Sequence, residues 1–369
     1  MSKSTSLPHL LQSVISREEL AEFLAEVEYV DVARKFTVYD LLLFLAEAAH
    51  QQWSGYRDAE PRLAASGLKS VDHSTLSKKA KDVPFEVFKR LLHRVVQRCS
   101  RSVKRRLGLP KELLVVDSTQ MNVGENRLPW APARGKKTGV KLHVAFLPEE
   151  GRVHRVTESI SRKHDFSYAS DVQDPDFILV ADRAYGKHER FDAYQNAKKR
   201  QFFVIRLHDN TLFNEIVPRA RKKPLSEPVE RDFTCVLGSP ATRTTNRFRV
   251  VHLTDPNGNP VLLATNLHHH SPERIADMYR ARWQIEVLFR WLKQHFNIPT
   301  FFGTTSNAVY GQLYAALIAH VLLRFVFAQG SLHIHPSARL SPVQFNRLFK
   351  LGRLPVEWRF YLEYSIHFP

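Results

Sequence analysis

The sequence predicts an α/β protein, and three observations predict it. Short β-branched apolar runs bounded by polar residues, LLVVDSTQM and FILVADRAYG among them, have the length and composition of buried strands. The segment opened by Ser271 and Pro272 and closed by Asn297 and Pro299 carries Met278, Ala281, Ile285, Leu288, Phe289, Leu292 and Phe296 at helical period. The first 60 residues also space their apolar side chains as packed helices do.

In chain order, the helical N-terminal third divides by charge. Residues 1–60 hold 10 acidic and 5 basic side chains, whereas residues 61–111 hold 14 basic and 3 acidic. The acidic head reads as scaffold. In the basic stretch, Asp72 or Ser74 caps a short helix carrying Lys78 and Lys79, and Pro84 opens a longer, Arg-rich helix. Two readings fit: a helix-turn-helix entering a DNA groove, or a helical bundle whose basic outer face binds DNA through counterion release.

Next come the strands. Asp117 follows the first apolar run and Asp182 the second, so both are expected at strand ends. Between them, KKTGVKLHVAFLPEEGRVHRV reads as two strands joined by a turn from Pro148 to Gly151. Arg134, Lys136, Lys137 and Lys141 lie between the strand of Asp117 and its neighbour, as a phosphate-gripping loop or as a solvated surface hairpin. Beyond Asp182, QFFVIRL, DFTCVLG, RFRVVHL and PVLLATNL are strand-like. The cluster Arg219, Arg221, Lys222 and Lys223 reads as an exposed loop among them.

The helix after Ser271 carries the most specific signal. Tyr279, Arg282, Glu286 and Lys293 fall within an arc of about 60° on one continuous helix, with Arg290 on the same face. A solvated face with spaced pairs such as Arg282 with Glu286 has the same look. Two strand-borne aspartates and a helix-borne glutamate, however, form an oxygen-donor set suited to a pair of Mg²⁺ ions, which serve phosphodiester chemistry by activating water and stabilising a leaving oxygen.

The pattern DST, then DRAYG, then YRARWQIEVLFRWLK resembles the DDE transposases of the insertion sequence 4 family, from about Asp72 to Phe302. The resemblance implies a ribonuclease H-like catalytic core with a β-strand insertion, preceded by an α-helical region, and makes Asp117, Asp182 and Glu286 the catalytic, metal-holding triad. It also implies two Mg²⁺, with Mn²⁺ as substitute, and DNA contacts from Tyr279, Arg282, Trp283, Arg290 and Lys293. Lys78, Lys79, Lys136, Lys137 and Lys141 are the expected basic contacts outside the signature. Trp283, at the edge of the stripe, is associated in that family with a flipped base. The implied activity is cut-and-paste movement of an insertion sequence by nicking, hairpin formation and strand transfer. Its partners are double-stranded DNA, as terminal inverted repeats and target, and a second copy in a synaptic homodimer. The expected organisation is a helical region over residues 1–111, core over 112–200, β insertion over 201–270, catalytic and packing helices over 271–330, and a tail over 331–369. A DNA-binding remnant and a ribonuclease H-fold nuclease are the alternatives; the complete carboxylate set speaks against the first, the Tyr, Arg and Lys positions against the second.

Composition agrees. The formal charge of +17 over 369 residues calls for a polyanionic partner. The most apolar segment, YAALIAHVLLRFVFA, contains His320 and Arg324 and reads as a buried core helix, not a membrane span. With no secretory h-region at the N-terminus, a cytoplasmic, nucleoid-associated location is expected. Two cysteines, Cys99 and Cys235, exclude a disulfide framework and a Cys-based zinc site. Adjacent His268, His269 and His270 cannot all face one ion.

Overall fold

The computed structural model describes residues 6–99, 111–133, 137–162, 174–220, 224–295 and 301–365. It divides into two compact units: one of Met1–Ser102, Met121–Val140 and Arg290–Pro369, and one of Val103–Gln120 and Lys141–Phe289.

The second unit is organised by a sheet whose nine strands are β1 (Leu113–Val123), β2 (Thr138–Leu147), β3 (Arg152–Ile160), β4 (Ile178–Ala181), β5 (Phe202–Arg206), β6 (Phe213–Pro218), β7 (Val229–Leu237), β8 (Phe248–Thr254) and β9 (Pro260–Thr265). Their spatial order is β3-β2-β1-β4-β5-β9-β8-β7-β6. The expected turn between β2 and β3 is present, and Gly151 supplies its positive φ of 67°. β1, β4 and β5 run parallel; from β5 onward the neighbours are antiparallel. β4 is buried along its whole length, as an inner parallel strand must be. On one face Leu114, Val116, Leu179, Ala181, Phe203 and Ile205 form a core with Phe191 and Tyr194 of helix α7 (His188–Asn196). Phe191 stacks on Phe203 at 4.8 Å. Each such ring contributes roughly 1.5 to 3 kcal/mol by burial.

Two expectations change here. Asp117 is not at a strand end: β1 continues past it for six residues, because Thr119, Met121 and Val123 are buried alternately with exposed Gln120 and Asn122. The strand-like runs beyond residue 201 belong to the same sheet. Phe202–Arg206 pairs with β4, and β9 closes against β5, where Thr265 Oγ1 donates to Phe203 O at 2.6 Å and Phe203 N to Asn266 Oδ1 at 3.1 Å.

The other unit is helical. α1 (Leu7–Val14), α2 (Arg17–Glu26), α3 (Val38–Gln51), α4 (Tyr56–Ala59), α5 (His73–Asp82) and α6 (Phe85–Arg98) precede the sheet in sequence. Thr37 and Asp40 form a reciprocal capping box at the start of α3. After α8 (Pro272–Arg280) and α9 (Trp283–His295), the long α10 (Ser306–His333) packs against α6, α3, α5 and α1. A Cβ at Gly311 would sit 3.3 Å from the Phe88 ring, so a small residue lets α10 and α6 approach closely. By length and composition α10 is the one described helix able to cross a membrane, but 67% of its apolar window is buried inside the fold. The tail forms α11 (Pro342–Lys350) and α12 (Val356–Phe360). Trp358, fully buried, lies 4.8 Å from Phe345 and stacks on Phe327 at 5.8 Å; Gly330 leaves room for it, since a Cβ there would stand 2.5 Å away. The tail covers the core helix.

Candidate active site

Strand register brings the two aspartates together. In the parallel pair, Val116 stands opposite Ala181, so the next residue on each chain, Asp117 and Asp182, projects beside the other across the roughly 4.8 Å strand spacing. Since Leu114 and Val116 face the apolar core, alternation turns Asp117 to the opposite face.

α8 supplies the next residues. Ser271 caps it, accepting from Arg274 N, Pro272 occupies its first turn, and Ile275, Ala276 and Met278 are buried where the helix packs on β4, β5, β7 and β8. That packing delivers Tyr279, whose hydroxyl donates to Asp182 Oδ1 at 3.3 Å. The single helix expected from the sequence is in fact two: α8 stops at Arg280 and α9 begins at Trp283. At the break, Arg282 N bonds to Tyr279 O, Gln284 N to Ala281 O and Ile285 N to Arg282 O, all three residues apart, which tightens the backbone. No Pro or Gly marks it. The break aims Arg282 at two acids: Nη1 is 3.3 Å from Asp117 Oδ2 and Nη2 is 2.6 Å from Glu286 Oε1. Thus two side chains touch all three carboxylates.

Electrostatics reflect this crowding. Burial raises the Asp117 pKa to about 6, with Asp182 and Glu286 adding to the rise, against the opposing Ser118 N–H bond and Arg282. Burial, reinforced by Asp182, moves the Tyr279 hydroxyl up to about 12. Burial works against the Arg282 charge, yet Tyr279, Glu286 and Asp182 outweigh it and its pKa rises. Among the described residues no three His, Cys, Asp or Glu side chains already converge as a metal cage. The donor set nevertheless fits a hard divalent cation: all its ligands are carboxylates, no thiol or imidazole intrudes, and Asp117 gains from added positive charge.

The remaining expected residues disperse. Trp283 opens α9 with 54% of its surface exposed, and Val287 beside it on the next turn is 50% exposed. Arg290 and Lys293 are exposed further along α9, within the helical unit. Lys78 is exposed on α5, capped by Asp72. Lys79, expected as an exposed cation, is instead buried, ion-paired with Asp31 and over the Tyr29 ring, because its position turns toward the inside of the unit. Lys141 is likewise buried, inside β2 and not in a loop; Lys137 is exposed just before that strand. Arg134, Lys136, Arg221, Lys222 and Lys223 lie outside the described residues. At the histidine run, Arg219 Nη2 donates to His268 O at 2.8 Å, and burial lowers the pKa of His268 and His270.

One element escaped the sequence reading. Arg249, 1% exposed on β8, forks onto Asp232 with two bonds of 2.8 Å and donates to Leu267 O and His270 O at 2.9 and 2.6 Å. It therefore ties down the turn that ends at the cap of α8. The only sequence signal is a cation inside an apolar strand, RFRVVHL.

Residues 108–322 match the family model described as "Transposase DDE domain". A protein of Geobacillus stearothermophilus named as a transposase for insertion sequence element IS5377 is 45% identical over 359 residues, 97% of this chain and 94% of that one. One from Synechocystis named as a transposase for insertion sequence element IS4SA is 24% identical over 293 residues, 77% of this chain and 80% of its own. Among solved structures, the piggyBac transposase synaptic complex with hairpin DNA shares the fold at a TM-score of 0.50 and 12% identity, covering 99% of this chain and 84% of that one.

Proposed function

This chain belongs to the DDE-domain transposase family, and we propose that it is the transposase of an insertion sequence, cutting DNA at the element's ends and joining those ends to a target. The strand order β3-β2-β1-β4-β5, parallel across β1, β4 and β5, supports a ribonuclease H-like core, with the strands after β5 as its β extension. Asp117, Asp182 and Glu286 are its catalytic carboxylates. The observation that carries the reading is that register sets Asp117 beside Asp182 while Arg282 bonds to both Asp117 and Glu286, which gathers acids from two strands and a helix.

The same three carboxylates would hold two Mg²⁺, for which Mn²⁺ substitutes. When bound, such ions activate the attacking oxygen and stabilise the leaving one. The chain's own residues do the rest. Tyr279 and Arg282 place carboxylate oxygens and, with exposed Arg290 and Lys293, supply donors for phosphates flanking the cut. Water attacks the scissile phosphodiester, leaving a 3′ hydroxyl. That hydroxyl then displaces an oxygen of the opposite strand to form the hairpin, which is opened before transfer to the target. Exposed Trp283 offers a face on which an extruded base stacks. Two ends must be handled together, so a homodimer holding both is the working assembly, acting on DNA in the cytoplasm at the nucleoid.

The test uses duplex carrying the inverted repeats that flank the gene. Asp117→Asn, Asp182→Asn and Glu286→Gln should each abolish nicking in Mg²⁺ while retaining end binding by gel shift. A variant that still nicks removes its residue from the triad. Nicking by the parent with no strand transfer would instead identify a nuclease.

A further inference from the structure

Among the described residues, two side chains engage the three carboxylates of the site, Tyr279 on Asp182 and Arg282 on both Asp117 and Glu286. Arg282 is well seated for this. Its side chain is 15% exposed and its guanidinium carbon lies 5.5 Å from the centre of the Tyr279 ring. It has not spent all its donors: the buried Nε has no hydrogen-bond partner among the described residues. A guanidinium fork with a spare N–H matches a phosphate as well as it matches a carboxylate, and forks onto phosphate are among the stronger charge-assisted contacts.

Two cations would compete for the same pair of carboxylates. Arg282 bonds Oδ2 of Asp117 and Oε1 of Glu286, while Ser118 N already holds Asp117 Oδ1, so a divalent ion held by the same two carboxylates would sit close to the guanidinium and repel it across a short, poorly solvated distance. Resting on the reading of these acids as the metal-holding triad, we propose that Arg282 is the coupling element between DNA and metal. Its guanidinium neutralises Asp117 and Glu286 until a DNA phosphate takes it over, which frees both carboxylates for the divalent ion. The ion, once there, releases the guanidinium to the phosphate. DNA and metal therefore bind with positive cooperativity through one side chain, and the nuclease is loaded only where its substrate lies.

Linkage makes this measurable without turnover. Mn²⁺ affinity of the full chain is measured by calorimetry, with and without duplex carrying the element's end; chelator-treated protein gives the DNA affinity with and without Mn²⁺. For the parent, DNA should tighten Mn²⁺ about tenfold and Mn²⁺ should tighten DNA by the same factor, since coupling between two sites is reciprocal. Arg282→Gln should bind Mn²⁺ without DNA as tightly as the parent does with it, and DNA should then change that affinity by less than about twofold. Arg206→Gln removes a charge near Tyr279 that does not bond the three acids, and it should behave as the parent does.

Equal Mn²⁺ affinity and equal DNA dependence in the parent and Arg282→Gln overturn the proposal. So does Arg206→Gln matching Arg282→Gln, which would mean simple loss of charge. Should Arg282→Gln fail to fold, Arg282→Lys keeps the charge without the fork and should weaken the coupling; parental coupling in that variant also overturns it. Asp117→Asn separates the two levels: it should lose Mn²⁺ binding, and parental Mn²⁺ affinity there would bring down the metal reading itself.

Discussion

Asp117 shows how a residue's neighbours decide its chemistry. Burial and two nearby acids raise its pKa to about 6, so the fold favours its uncharged form. The sign follows from linkage: this contribution to stability is complete below the ordinary carboxylate range and is lost as pH rises through about 6. Stability of the parent relative to Asp117→Asn should therefore fall between pH 4 and pH 7, by on the order of 3 kcal/mol in urea melts done in chelator. A difference that ignores pH would show that Asp117 is not desolvated. Trp283 poses the opposite case, a large apolar side chain left 54% exposed. Its removal should cost the fold less than about 1 kcal/mol, as surface substitutions do. Trp283→Ala should nick at the parental rate but form hairpins slowly, with partial rescue by an abasic nucleotide at the extruded position, because unstacking then costs less. Equal loss in both steps without rescue would make Trp283 structural. Single lysines were the least legible: Lys78 and Lys79 are neighbours in sequence, yet one is exposed and the other buried against Asp31. Composition reports charge, not the direction in which a helix turns it.

Among the elements, the parallel strands were legible because burial on both faces leaves uninterrupted β-branched runs, as in LLVV and ILVA. β6 was missed since four of its six residues are exposed and a bulge at Glu215, with φ of 53°, breaks its alternation. The break between α8 and α9 was illegible for a different reason: Ala281 and Arg282 suit a helix, and the interruption appears only when Arg282 reaches Asp117 on β1. Both predicted caps of α8, Ser271 and Pro272, are where the sequence placed them. What holds that cap in space is Arg249, and its worth can be estimated. Arg249→Met leaves Asp232 charged, buried and short of its main partner, which should cost about 3 to 5 kcal/mol in denaturant melts. The pair Arg249→Met with Asp232→Leu should recover most of that loss, because the unpaired charge is gone. A double variant no better than the single one would mean that the bonds to Leu267 O and His270 O, not the ion pair, carry the stability.

At the scale of the molecule, the question is what the N-terminal third is on its own. Its basic stretch over residues 61–111 invites isolation as a DNA-binding piece, yet those residues do not make a unit by themselves. The compact helical unit also takes in Met121–Val140 and Arg290–Pro369, and its centre is α10, some 200 residues downstream of α6. Phe88, Leu91, Leu92, Val95 and Val96 of α6 are almost fully buried, and α10 is the principal helix on which α6 packs. α3 presents Leu41, Leu42, Phe44 and Leu45, again almost fully buried, to a core that α10 shares. Removing α10 strips water exclusion from both helices at once, and each large side chain re-exposed forfeits roughly 1.5 to 3 kcal/mol. Five of them forfeit about 7 to 15 kcal/mol, comparable with the whole stability of an ordinary domain, about 5 to 15 kcal/mol. A fragment of residues 1–111 should thus show no cooperative thermal transition and should bind dye that reports exposed apolar surface. Its affinity for duplex DNA should be weak, steeply salt-dependent and insensitive to sequence, the behaviour of a flexible polycation. In the full chain, by contrast, charge reversal of exposed Lys78 should weaken binding, whereas Lys79→Met should leave it unchanged at equal fraction folded, since Lys79 faces Asp31. A fragment that melts cooperatively and prefers the element's end over random duplex would show that recognition is built without α10, and that the unit defined by packing is not the unit that reads DNA.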